Sequence, residues 1–228
     1  FVNDSDPAKR TKLIDELLAR SEWVDKWTMY FGDLYQNNSV NTQMRRFPSG
    51  VTAFNDWIRA SLTANKPYNQ MARELISATT EHSYEDGDGN WVAGGWVSGG
   101  PQQDIWDKQV ANVADTFLGI SHLDCLLCHN GRGHLDSLSL WARGVTRQQA
   151  WGMAAFFSTT RSQKNRVNPA SVNPYYWTVT DDSRLQAIGY RLNTTTGNRP
   201  ERAPIDTLRA VQPEYLFDGR KPNSGEAY

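Results

Sequence analysis

Thiols are scarce in this chain: its 228 residues include only two cysteines. That count excludes a small fold stapled by several disulfides. Long apolar runs are missing as well, so no segment reads as a membrane-spanning helix. Neither sign of charge dominates, with 24 Lys and Arg against 25 Asp and Glu. The two signs are well mixed, which leaves no basic stripe for nucleic acid and no polybasic run for a membrane surface. No Ser-His-Asp constellation or spaced carboxylate pair supports a hydrolase, and there is no internal repeat. No secretory leader opens the sequence. Phe1-Val2-Asn3-Asp4 reads as mid-chain, so a processed or fragmentary chain with its targeting segment upstream is expected.

Aromatic residues are plentiful. Nine Trp, nine Tyr and eight Phe supply large apolar area per side chain, which suits a chain with modest aliphatic content and long loops. Most of the tryptophans recur at helical spacing and read as core. A carbohydrate-facing role for some of them stays open.

The two cysteines lie in Cys125-Leu126-Leu127-Cys128-His129, the C-x-x-C-H pattern for covalent attachment of a c-type haem. On one helical turn residues i, i+3 and i+4 share a face, so both thiols and the imidazole project together. The thiols can bond the two vinyl groups at the haem edge, and His129 can ligate the iron as proximal ligand. Three other readings compete. A dithiol of the thioredoxin kind wants a neighbouring βαβ pattern, which is absent. Zinc on Cys125, Cys128, His129 and His134 asks adjacent residues to turn to one tetrahedral ion. A disulfide across so short a loop would stabilise little.

Along the first two-thirds the pattern is helical. Asp6 and Pro7 mark a helix start ahead of the stripe Leu13, Ile14, Leu17 and Leu18. Ser21 caps a second helix carrying Trp23, Val24, Trp27, Tyr30, Phe31 and Leu34. After a polar break from Gln36 to Gly50, a third helix turns Phe54, Trp57, Ile58 and Leu62 inward. Pro67 opens a fourth with Tyr68, Met71 and Leu75. The glycine-rich stretch 81–101 reads as a long loop, a lid over one haem edge. Within it Asp86-Gly87-Asp88-Gly89-Asn90 lacks the full EF-hand calcium pattern and reads as a solvated turn. Asp104 starts a fifth helix that stops near Gly119, and Thr146 with Gln149 makes a capping box for a sixth. Farther on, Tyr175–Thr180 and Ile188–Leu192 read as two short strands pairing in a hairpin. The tail from Ala203 to Tyr228 reads as loop or linker. The expected fold is therefore mainly α: an irregular multi-helix domain around a c-type haem, with long loops and a short C-terminal β-hairpin. Residues 1–160 form the helical haem-binding domain, and residues 161–228 an irregular extension leading to a linker.

The order of these segments resembles the planctomycete-type cytochrome c domain family, exported bacterial domains of unassigned function. The resemblance rests on Glu22-Trp23-Val24-Asp25-Lys26-Trp27, Phe54-Asn55-Asp56-Trp57-Ile58-Arg59 and Asn65-Lys66-Pro67-Tyr68-Asn69-Gln70-Met71. It continues through Phe117-Leu118-Gly119, the cysteine motif, Met153-Ala154-Ala155-Phe156-Phe157 and Pro213-Glu214-Tyr215-Leu216-Phe217-Asp218-Gly219. It implies a mainly helical domain within a longer exported protein, with Cys125, Cys128 and His129 as the haem-binding set. One departure stands out. The family carries a second histidine close behind the motif, whereas here Gly131-Arg132-Gly133 intervenes before His134-Leu135-Asp136.

The expected function is that of a c-type cytochrome domain with one covalent haem c, carrying electrons rather than catalysing. Its partner would be a redox protein or a larger assembly, in the periplasm or outside the cell. Met153 and His134 are the candidates for sixth iron ligand. His122 packs nearby, His82 lies in the acidic loop, and Arg132, Arg143 and Arg147 could pair with haem propionates. The alternatives are a non-redox interaction or carbohydrate-associated module with zinc or a disulfide at the Cys-His cluster, and a haem enzyme with an open iron position.

Overall fold

The computed structural model describes residues 1–38, 46–223 and 226. Among these are eight α-helices: α1 (Lys9–Leu18), α2 (Ser21–Leu34), α3 (Pro48–Thr63), α4 (Tyr68–Ile76), α5 (Gly89–Ala93), α6 (Gln102–Leu118), α7 (Leu123–Leu126) and α8 (Arg147–Ala154). Four short strands follow: β1 (Thr160–Arg166), β2 (Tyr175–Asp181), β3 (Tyr190–Arg191) and β4 (Ala210–Val211). The chain is mainly α with long loops. Part of the polar break between the second and third helices, residues 39–45, lies outside the described residues.

Local chemistry accounts for most helix ends. Thr146 and Gln149 close the expected reciprocal capping box at the start of α8, satisfying backbone donors that a helix start leaves free. Gly119 ends α6 in the left-handed region at φ 66°, a conformation that costs a glycine nothing. Pro67 caps α4. Asp6 acts one step earlier than expected: its carboxylate accepts from Ala8 N–H and Lys12 Nζ, and the helix proper starts at Lys9. The stripe Leu13, Ile14, Leu17 and Leu18 forms on α1, but no α1 residue is buried.

Two expectations are corrected. The glycine-rich stretch does not lie over the surface as a lid. It folds inward as α5, whose five residues are all buried, with Asp88 accepting from Gly89 N–H at its start. Small side chains let this short helix pass close to its neighbours: a Cβ on Gly87 would stand 2.4 Å from the Ala53 carbonyl oxygen. The second correction concerns strand partners. β2 pairs antiparallel with β1, Thr160 opposite Asp181, and β3 pairs with β4. The two segments read as partners therefore belong to separate pairings, because the stretch 160–166 was polar enough to hide its strand character. Its pattern TRSQKNR carries no apolar alternation.

Buried apolar side chains form two clusters. One is aromatic: Tyr35, Phe54, Trp91 and Trp177 with Ile58, Met71, Leu75 and Val179. Tyr35 meets Phe54 at 6.1 Å and Trp91 at 5.8 Å, and Trp96 meets Trp177 at 4.8 Å, separations at which aromatic pairs attract. The other cluster surrounds α6, α7 and α8 and includes Val110, Leu123, Leu126, Leu127, Trp151, Met153 and Ala154. Residues beyond 160 enter both, Trp177 and Val179 in the first, Tyr190, Leu192 and Val211 in the second.

Candidate functional site

The cysteine motif occupies a single tight turn. α7 ends at Leu126, and the N–H groups of Cys128 and His129 both reach the Cys125 carbonyl, at 3.0 and 3.2 Å. Leu123, Leu126 and Leu127 are buried and anchor the turn in the second cluster. Cys125, Cys128 and His129 are left half-buried at its surface. Both cysteines are free, so the disulfide reading does not describe this structure. Among the described residues no group of three or more His, Cys, Asp or Glu is placed to hold a metal ion. The zinc set Cys125, Cys128, His129 and His134 is therefore not assembled as a tetrahedral site.

His129 is oriented by its own backbone. Its Nδ1 lies 2.8 Å from the Asn130 carbonyl oxygen. A carbonyl can only accept, so Nδ1 is the donor in this bond and Nε2 takes no part in it. Ligating histidines are commonly held in this way, one ring nitrogen steadied by a carbonyl. Free sulfurs three residues apart and an imidazole with Nε2 available are the donor set for a thioether-bound haem, so the residues present fit that group.

Behind the motif the chain turns sharply. Gly131 donates to Val145 O at 2.8 Å and accepts from Leu135 at 2.7 Å. A Cβ here would stand 1.7 Å from the Ala142 carbonyl oxygen, so only glycine fits. This turn brings His134 back beside the proximal candidate: the rings of His129 and His134 lie with centroids 4.1 Å apart, tilted by 30°. Leu138, Leu140 and Trp141 next to this loop are exposed, and Trp141 stacks on Phe217 at 5.6 Å.

The other named candidates are distributed. Met153 is buried on α8, and its sulfur accepts from Leu216 N–H at 3.4 Å. His122 caps α7. His82 stacks on Tyr176 of β2 at 3.9 Å. Arg132 and Arg143 are exposed. Arg147, by contrast, is fully engaged. It donates to the carbonyls of Leu127, Pro200 and Glu201 at 2.9, 2.6 and 2.7 Å and lies over the Trp151 ring. Burial and the neighbouring charge of Arg202 pull its pKa down. It fastens the cysteine turn to the C-terminal loop, with each of its three guanidinium nitrogens on a carbonyl.

The most elaborate part of the site went unread in the sequence. Arg202, with no exposed surface, donates through Nη2 to Asp104 Oδ1 at 2.6 Å and Asp107 Oδ2 at 2.7 Å. Through Nε and Nη1 it donates to Tyr190 Oη at 2.5 Å and Thr194 Oγ1 at 3.1 Å. Tyr190 in turn donates to Asp107 Oδ1 at 2.9 Å. Arg199 carries the network outward: Nε meets Asp107 at 3.3 Å, and Nη2 meets Asp124 at 2.6 Å. Its Nη1 donates to Cys128 Sγ at 3.3 Å. Burial alone would lower the pKa of both arginines, but Tyr190 and the aspartates around Arg202, and Asp107 and Asp124 around Arg199, more than offset it and hold them up. Burial pushes the Asp107 carboxyl up, and Arg202 and Arg199 pull against it. The one sequence signal for this cluster was Asp104 and Asp107, three apart on a helix whose faces are otherwise mostly apolar. Such a pair on an inward face calls for buried cations. A cleft of about 450 Å³ opens where Arg199, Asn198 and Cys128 meet Lys108 and Val97.

A family model described as "PSCyt2: Protein of unknown function (DUF1549)" matches residues 1–162. No curated protein and no solved structure matches the chain.

Proposed function

The chain belongs to the PSCyt2 (DUF1549) family, and from that premise we propose that it is a c-type cytochrome domain of the planctomycete type. It would carry one haem on Cys125, Cys128 and His129 and pass electrons to a redox partner or within a larger exported assembly. The observation that carries this reading is the single turn on which both free sulfurs stand half-exposed while His129 Nδ1 is held by the Asn130 carbonyl and Nε2 takes no part in that bond. Bound there, the haem would supply a one-electron iron couple. The chain's part is to hold the donors. Buried Leu123, Leu126 and Leu127 fix the turn, Arg199 and Arg147 tie it to the C-terminal loop, and Arg132 and Arg143 remain exposed for propionate or partner carboxylates. Met153 and His134 are the candidates for the sixth position. The attachment chemistry belongs outside the cytoplasm, and the protein would work in the periplasm or beyond.

The test is export of the chain in a host equipped for cytochrome c maturation, followed by intact mass and a pyridine haemochrome spectrum. One haem per chain is expected, abolished in Cys125→Ser/Cys128→Ser. An unmodified polypeptide mass under conditions that mature a control cytochrome would overturn the reading. In the holoprotein, carbon monoxide binding then separates a filled sixth position from an open one, with His134→Ala and Met153→Ala naming the ligand.

A further inference from the structure

A cavity of about 470 Å³ opens where the two apolar clusters meet. Its walls are mainly apolar, with polar groups gathered at one end. Helices and their ends supply Ile76, Val92, Val110, Val113, Met153 and Phe157, while the open end of the β1–β2 hairpin supplies Thr160, Thr180 and Asp181. Thr160 and Asp181 face each other in register there, with Thr180 next in line opposite Arg161. Cys125, Cys128 and His129 take no part in the lining, although Met153, one of the two candidates for the sixth position, does.

Protein interiors pack to the density of organic crystals and hold few voids larger than a water molecule. An apolar space of this size, half open and lined largely by aliphatic and aromatic side chains, has the dimensions and composition of a ligand pocket. We propose that it binds a small apolar molecule bearing one hydrogen-bond-donating end, of the alkylphenol type. The apolar body lies against α6 and α8, and the hydroxyl meets the threonine and aspartate end. The choice of a donor follows from the acceptors present. Asp181 makes no ion pair among the described residues, and an ionised carboxylate accepts hydrogen bonds but cannot offer them. A ligand with a carboxylate at that end would face like charge.

Calorimetric titration of the full chain with 4-butylphenol, butylbenzene and 4-butylbenzoate tests this. One saturable site for 4-butylphenol is expected, with 4-butylbenzoate weaker by roughly tenfold or more, since a like-charge contact commonly outweighs one hydrogen bond. Val113→Phe should fill the space and abolish binding while the far-ultraviolet circular dichroism is retained. If that variant fails to fold, Ile76→Trp at the wall serves the same purpose. Asp181→Asn should bring phenol and benzoate to within about threefold of each other, the repulsion being gone. Absence of saturable binding by the unsubstituted chain would overturn the proposal. So would binding that persists in both filled variants, or a preference for benzoate over phenol.

Discussion

Each half of the molecule buries an arginine, and the two are held in opposite ways. Arg46, in the aromatic half, is 1% exposed. It donates to the Asn90 carbonyl at 2.9 Å and to the Gln36 carbonyl, with its guanidinium over the Phe54 ring at 5.2 Å. No carboxylate pairs with it among the described residues, and burial pulls its pKa down. Arg202, in the half that carries the cysteine turn, meets two carboxylates, and its pKa is pushed up in spite of burial. Carbonyls and rings tolerate a range of positions, because their attraction varies gently with geometry. Two carboxylates and a phenol around one planar fork admit a single arrangement. The aromatic half is therefore built for bulk, and the other half for position, where a cofactor's attachment points would need it.

Four substitutions test this contrast. Arg202→Met strands buried Asp104 without a counter-charge, leaves Asp107 with Arg199 alone, and should cost about 3–5 kcal/mol in urea unfolding. Arg46→Met leaves only carbonyls unpaired and should cost about 1–3 kcal/mol. Equal losses would break the comparison. Gly131→Ala, whose methyl would collide with the Ala142 backbone, should cost about 1–3 kcal/mol. It should also separate the His129 and His134 rings, read from their NMR ring-current shifts. The smallest effect lies at the surface of the aromatic half. Glu74 bonds to Lys66 and Gln70, and the Lys66 bond, offset only in part by burial, lowers its pKa in the folded chain. A carboxyl so lowered stabilises the fold above its unfolded pKa, and the benefit is lost as pH falls through the folded value. Glu74→Gln should accordingly cost about 0.2–1 kcal/mol at pH 7, and the difference from the parent should vanish in acid.

How much of this was legible in the sequence depended on the range of the signal. Periodicity and caps are local, so the helices around Phe54, Met71, Trp106 and Trp151, the Gly119 stop and the Thr146 box could be read in advance. The cysteine motif is local too, and its single turn was anticipated. The apolar stripe of α1 was legible as a stripe, but periodicity does not say what lies opposite, and no α1 residue is buried. α5 was missed because glycine signals freedom in a loop and close approach in a core with the same letter. β1 was missed because its residues are polar, and its partnership with β2 is set by tertiary context. The Asp104–Asp107–Arg202 cluster joins residues 95 and 98 positions apart, a distance over which no spacing rule reaches.

That separation along the chain sets an order of assembly. Asp104 and Asp107 leave the ribosome long before Arg199 and Arg202, and until those cations arrive, closing α6 into the interior would entomb two naked anions. A shortened version ending where β1 ends would carry every cysteine and histidine of the motif and still lack the neutralising pair. Completion of the cysteine-bearing half thus waits on the segment that carries Arg199 and Arg202.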